Sequence, residues 1–165
     1  MVDLANLYEE DTAAWAEQQA AALRAAARDG SNHPLDWEHL AEEIEDLGKS
    51  LRDALKSQIS RIIQHHVKLM YSPASDPRSG WRHSIRQARG EIERILEDSP
   101  SLRPQMPRLI DAETRRSIQL AVRDLEEHDE LNGLTFPSLR RLRYSEEQIL
   151  GDWFPADPDG RHSKK

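Results

Sequence analysis

The sequence predicts an all-α protein: a small helical bundle with four main helices, a short C-terminal helix and a docked tail. Apolar residues recur at helical spacing along most of the 165 residues, and no stretch alternates apolar and polar residues as a strand does. Clusters of Pro, Gly, Ser and Asn divide the periodic segments at 29–34, 72–77, 98–104 and 132–133. We therefore expect a single helical domain over residues 1–155 and a disordered tail over residues 156–165.

The composition argues against several classes of protein. Because the chain has no cysteine, it can form neither a disulfide framework nor a thiolate metal site. It has no run of about 18 apolar residues, so no transmembrane helix is expected, and its N-terminus lacks signal-peptide features. The net charge of −7 argues against nucleic-acid binding, which needs clustered Lys and Arg. We expect a cytoplasmic protein whose partner is a second copy or another protein, not a membrane.

The N-terminal half is predicted to contain two helices. The first is expected from about Leu7 to Arg28. The second is capped at Asp36, which is a good N-cap residue, and is expected from Asp36 to about Tyr71, roughly 50 Å at 1.5 Å per residue. Because its apolar face keeps its phase past Gly48, we expect one continuous helix. The glycine then provides either a close helix contact or a bend.

Two further main helices follow. The third is expected from about Ser79 to Glu97, after a loop short enough for an antiparallel return along the second helix. Ser99 is placed to cap a short turn, with Pro100 at its first position. The fourth helix is expected from about Pro107 to Leu131, with Asn132-Gly133 ending it.

The C-terminal segment is predicted to be less regular. Phe136-Pro137 is interpreted as an anchor in a loop. The basic run Arg140-Arg141-Leu142-Arg143 is interpreted as a solvated connection that pairs with the acidic surface. A capping box formed by Ser145 and Gln148 predicts a short helix. The apolar Trp153-Phe154-Pro155 is expected to dock on the bundle.

A set of residues spread over these elements matches one known pattern in order. The set comprises Asp11, Trp15, Asp36, Trp37, Glu43, His65, Lys68, Trp81, Ser99 and Pro100. Over about residues 7–155 the chain resembles the bacterial, mainly cyanobacterial, domain of unknown function 29 family. It departs from the family at Leu69, where the pattern usually has Trp, and in the fourth helix. The resemblance implies an almost wholly helical domain and no reaction, because none is established for the family.

Three histidines form the candidate metal or catalytic cluster. An antiparallel return of the third helix would bring His83 toward His65 and His66. Such a site needs convergent imidazoles, but adjacent histidines on a helix diverge by about 100°. We therefore favour a core histidine that is hydrogen-bonded to backbone, beside a solvent-facing neighbour, and expect no cofactor. The alternative is a small metal-binding or enzymatic bundle that uses these histidines.

The acidic start of the second helix is interpreted as a surface feature. Glu42 and Asp46 project away from the apolar face. Glu43 lies on a flank, where Arg89 or Arg94 of the third helix is expected to pair with it. Since the packing signals are strong and no convergent chemistry is found, we expect a non-enzymatic helical interaction module. An exposed apolar groove would support this expectation.

Overall fold

The computed structural model describes residues 4–30 and 32–158, and in this part of the chain no strand occurs. The helices follow the segments that the periodicity predicts, with one 3₁₀ helix between the fourth and fifth. None of the described helices is long and apolar enough to cross a membrane. The elements are α1 (Leu4–Glu10), α2 (Thr12–Arg28), α3 (Trp37–Tyr71), α4 (Arg78–Asp98), the 3₁₀ helix (Pro100–Gln105), α5 (Met106–Glu127), α6 (Phe136–Leu139) and α7 (Glu146–Leu150).

The chain divides into two compact units. The first combines the residues up to Leu55 with Arg94–Gln105. Its core contains small side chains from α2, which allow close packing. Arg52 ties this unit together, because its guanidinium donates to Gln105 at 3.3 Å and pairs with Glu17. Buried apolar residues of the unit include Ala13, Ala16, Ala20, Ala41, Leu55, Ile95, Leu96 and Leu102.

The second unit combines Lys56–Glu93 with the residues from Met106 onward, and it holds the bulkier core. Polar contacts join α3 to α5, where the hydroxyls of Ser117 and Ser60 lie 2.9 Å apart and Lys68 pairs with Asp124. The fully buried large side chains of this unit are Ile59, Ile62, Ile63, Leu69, Ile85, Ile92, Met106, Ile110 and Ile118.

The predicted second helix is confirmed as one element. The α-helix α3 is continuous from Trp37 to Tyr71 and passes through Gly48 without a break. Asp36 precedes it, and its carboxylate accepts a hydrogen bond from the His39 amide at 3.4 Å, as an N-cap residue does.

Two predicted helix boundaries are wrong. The expected single helix from Leu7 to Arg28 is divided at Asp11, whose side chain caps α2. The fourth helix ends at Glu127 rather than near Leu131, because Asp129 adopts a left-handed conformation with φ of 60°. The amide of Glu130 then bonds back to the carbonyl of Leu125 at 2.8 Å, which is a Schellman ending.

The C-terminal segment agrees with its prediction at α7 and differs from it at α6. The capping box at Ser145 is present and starts α7. Phe136 begins the short helix α6 instead of lying in a loop. Of the tail predicted to be disordered, residues 156–158 are described, and Asp157 accepts from Arg78 at 3.1 Å and pairs with Arg82 at 2.9 Å. Residues 159–165 lie outside the described residues.

Candidate functional site

His66 is the most deeply buried polar side chain of the predicted histidine cluster. It lies near the end of α3 and has 0 % of its surface exposed. Its ring stacks on the ring of Tyr144, with the two centroids 5.7 Å apart. It makes T-shaped contacts with Trp153 and Phe154, whose ring centroids lie 5.0 Å and 6.5 Å from its own. Neither ring nitrogen has a hydrogen-bond partner among the described residues. The expected hydrogen bond from this core histidine to backbone is therefore wrong, and aromatic rings replace it.

The surroundings of His66 keep it neutral. Burial lowers the pKa of His66 to about 3, and the nearby positive charge of Arg89 acts in the same direction. Burial also lowers the pKa of His65 to about 4, with a contribution from Lys68. The Tyr144 hydroxyl is buried without a recorded partner, and burial raises the pKa of its phenol above the ordinary value. Nδ1 of His65 likewise has no recorded hydrogen-bond partner among the described residues.

Arg89 holds the C-terminal segment over His66. Its guanidinium donates to three main-chain carbonyls, those of Ile149 at 2.8 Å, Gln148 at 3.0 Å and Trp153 at 2.6 Å. It also lies 4.9 Å from the ring centroid of Phe154. The predicted pairing of Arg89 with Glu43 is therefore wrong, because carbonyl groups occupy its donors. Arg94 lies 3.8 Å from Asp98 on its own helix.

His83 does not share the environment of the other two histidines. Its side chain is exposed, whereas His66 is fully buried. Across residues 4–30 and 32–158, no group of three or more His, Cys, Asp or Glu side chains is arranged to hold a metal ion. His65, His66 and His83 are therefore not part of such a group in the described residues.

Lys68 and Trp81 have structural roles in the second unit. The ammonium of Lys68 pairs with Asp124 and lies 5.9 Å from the centre of the Trp81 ring. This contact joins α3, α4 and α5, so both residues help to fix the packing of three helices.

The starts of α2 and of the 3₁₀ helix cap each other through the side chains of Asp11 and Ser99. The Asp11 carboxylate accepts from the amide of Ala14 at 2.8 Å, in its own helix, and from the amide of Ser101 at 2.7 Å, in the 3₁₀ helix. The hydroxyl of Ser99 accepts from the amide of Ala13 at 3.2 Å. Each helix start thus receives a side chain from the other, which the sequence interpretation does not anticipate.

The acidic start of α3 is on the surface, as predicted. Glu42, Glu43 and Asp46 are exposed. Glu45, rather than Glu43, pairs with an arginine of another helix, since Arg24 lies 2.8 Å from its carboxylate. The four tryptophans are all partly buried: Trp15, Trp37, Trp81 and Trp153.

The outer face of α5 carries a groove that the sequence interpretation missed. Phe136 lies between two open concavities on this face. The first, of about 450 Å³, is lined mainly by Asp111, Arg115, Phe136, Arg140 and Arg143. The second, of about 520 Å³, is lined mainly by Arg116, Leu120, Arg123, Glu126 and Phe136. We call the two together the arginine groove.

The arginines of this groove differ in their pairing from several other arginines of the chain. Arg24, Arg78 and Arg82 have carboxylate partners. For the groove arginines the structure records no carboxylate partner within the described ranges, and Arg143 donates to carbonyls of its own segment. The predicted pairing of the basic run with the acidic surface is therefore not found among the described residues. These arginines are Arg115, Arg116, Arg123, Arg140 and Arg143.

Comparisons with known proteins agree with this fold. The family model described as "Domain of unknown function DUF29" matches residues 7–154. The crystal structure of an α-helical protein of unknown function from Rhodospirillum rubrum is 29% identical in sequence. The match covers 92% of each chain, with a TM-score of 0.67. No curated protein matches the chain.

Proposed function

Because the chain belongs to the domain of unknown function DUF29 family, its family assigns no activity, and we propose a function from its surfaces. The proposal is a non-enzymatic helical interaction module of the cytoplasm that binds a protein segment in the arginine groove. The observation that carries it is the groove itself. Its two concavities lie along one helix and combine an exposed cationic lining with the apolar Phe136.

The dimensions of the groove support a helical ligand. Its lining extends along α5 from Asp111 to Glu126, a span of roughly 22 Å at 1.5 Å per residue. This length accommodates about four turns of a partner helix. Leu120 is 37 % exposed at the second concavity and adds apolar surface that such a helix would cover.

The chemistry of the lining supports a partner that carries carboxylates. Arginine presents a fork of N–H donors that matches a carboxylate in bidentate geometry. Phe136 supplies a ring on which an apolar side chain can pack. A segment with both acidic and apolar residues therefore matches the groove better than a purely polar segment does.

The test is affinity capture of partner proteins by the full chain, once with an intact groove and once with an altered groove. Arg115→Glu/Arg140→Glu reverses two charges of the groove, and Arg108→Glu reverses an exposed charge on the same helix outside it. In quantitative affinity capture we expect the wild type and Arg108→Glu to retain the same proteins. The groove variant should retain at least about tenfold less, as expected for loss of about 1.4 kcal/mol of binding. Equal retention by all three proteins would contradict the proposal.

A further inference from the structure

The first turns of α3 carry apolar side chains that their own unit leaves uncovered. Leu40 and Leu47 are each 40 % exposed, although leucine at helical spacing is normally turned to a core. They are seven residues apart, so they lie on one line along the helix, and exposed Glu43 lies between them. We call Leu40, Glu43 and Leu47 the acidic leucine stripe.

The stripe is chemically complementary to the arginine groove. The stripe presents a carboxylate between two leucines, and the groove presents guanidinium groups around Phe136. Glu38 and Glu42, also exposed on the same turns, extend the negative charge around it, whereas Asp46 is paired with Lys49 at 2.9 Å. The stripe spans roughly 10 Å of helix from Leu40 to Leu47 at 1.5 Å per residue, so it fits within the length of the groove.

We propose that the occupant of the arginine groove is a second copy of this chain, which inserts its acidic leucine stripe. This proposal rests on the proposed function and names its partner. The groove arginines lack recorded carboxylate partners among the described residues, while the stripe of a second copy offers a carboxylate that has no recorded arginine. Association would bury Leu40 and Leu47 together with Phe136 and pair Glu43 with the cationic lining.

The same observations disfavour a nucleic acid as occupant. The groove contains two carboxylates, Asp111 and Glu126, which would repel phosphates. The net charge of −7 adds a long-range repulsion, which acts most strongly on a polyanionic nucleic acid and less strongly on a second copy. Exposed leucines of a helix, in contrast, gain from burial against Phe136.

The proposed contact joins two different surfaces, so it is heterologous. Each copy has one stripe and one groove. Heterologous contacts close into rings when the rotation allows and otherwise continue as chains. The mass in solution should therefore rise with concentration toward a closed ring or an open chain, and the association should weaken at high salt because salt screens the charge pairs.

The test is the solution mass of the full chain over a range of concentrations. The wild type is expected to associate, and both Arg115→Glu/Arg140→Glu and Glu43→Arg should associate at least about tenfold more weakly. Arg108→Glu and Glu97→Arg, which change exposed charges outside both surfaces, should behave as the wild type. Circular dichroism of each variant establishes that it is folded, and Leu47→Ser provides a second stripe variant without a charge reversal.

Mixing the two impaired variants gives the decisive result. The groove variant keeps its stripe, and Glu43→Arg keeps its groove, so one intact contact can form between them. We expect a 1:1 complex that is twice the mass of one chain and does not grow further. A chain that carries Arg115→Glu, Arg140→Glu and Glu43→Arg together should associate again, because the stripe is then cationic and the groove has gained two carboxylates. A wild type that stays monomeric at all concentrations, or a mixture without complex, would overturn the second copy as occupant.

Failure of this proposal is distinguishable from failure of the proposed function. If the chain is monomeric but affinity capture still depends on the groove arginines, the groove binds a different protein. If neither measurement depends on them, both proposals are wrong.

Discussion

The hydroxyl of Ser99 accepts a hydrogen bond from the backbone amide of Ala13, 86 residues earlier in the chain, at 3.2 Å. The amide belongs to the first turn of α2, where no carbonyl of the helix itself can accept from it. Ser99 is fully buried, so water cannot replace the hydroxyl. A side chain that sequence reasoning assigns to its own turn thus stabilises the start of a distant helix.

Replacement of Ser99 by alanine should destabilise the fold by about 1–2 kcal/mol, since a buried amide loses the acceptor recorded for it among the described residues. Urea unfolding at neutral pH measures this loss. Ser101→Ala is the matched control: its amide still donates to Asp11, and its exposed hydroxyl contributes less. An equal effect of both substitutions would contradict the assignment of the Ser99 hydroxyl to Ala13.

The stability of the protein should fall on acidification, with a share that comes from His66. Because burial lowers the pKa of His66 in the fold to about 3, the unfolded chain, with an ordinary pKa of about 6.5, binds the proton first. The part of the unfolding free energy that depends on neutral His66 is therefore present in full well above pH 6.5, and it is lost progressively as the pH falls toward 3. The expected loss at pH 5 is about 2 kcal/mol.

His66→Phe and His66→Leu should remove this share of the pH dependence. The measurement is the free energy of unfolding from pH 8 to pH 5, where each variant should lose about 2 kcal/mol less than the wild type. His83→Gln, which replaces an exposed imidazole, is the control variant. Parallel curves for the wild type and both His66 variants would show that His66 is protonated equally in the folded and unfolded states.

Arg89→Met should release the C-terminal segment from the second unit. The substitution leaves three main-chain carbonyls without their donor, and we expect a loss of about 2–4 kcal/mol. Hydrogen exchange of α7 should accelerate, and limited proteolysis should cleave near Trp153 first. Arg86→Met provides the comparison, because Arg86 is exposed and only lies 5.5 Å from the Phe154 ring. Similar protection of α7 in both variants would contradict an anchoring role.

Gly48→Ala should stabilise the protein by about 0.5–1 kcal/mol. Alanine has the higher helix propensity, and a methyl group at this position would meet only the Arg52 guanidinium, at 3.6 Å, which is an ordinary contact. Thermal unfolding measures the gain. Gly133→Ala is the opposite case, since φ is 81° there and alanine should destabilise the turn. A destabilised Gly48→Ala would mean that the glycine serves a close contact or a bend after all.

The long helix α3 is predictable from sequence because one signal defines it throughout. Its apolar phase persists from Trp37 to Tyr71, and local propensity at Gly48 is too weak to interrupt packing along 35 residues. The end of α5 is not predictable in the same way. Asp129 adopts the left-handed conformation that glycine usually supplies, so Asn132-Gly133 gives a stronger but misleading signal.

The candidate surfaces are harder to predict than the helices. The acidic start of α3 is visible in the sequence, but the exposure of Leu40 and Leu47 depends on which helices reach them. The groove arises because Phe136 and Arg140 lie against arginines about 20–25 residues earlier in the chain. The available signal is a basic run in an acidic chain, and charge alone does not tell a solvated connection from the wall of a groove.

The anchor that Arg89 provides should restrict substitution at position 89 more than in the C-terminal segment that it holds. All three acceptors are main-chain carbonyls, and every amino acid supplies one. The residue at position 148 can therefore change without loss of this anchor, whereas lysine at position 89 would lose the guanidinium fork. Among related sequences, variation should be tolerated on the segment that is held and restricted at the single arginine that holds it.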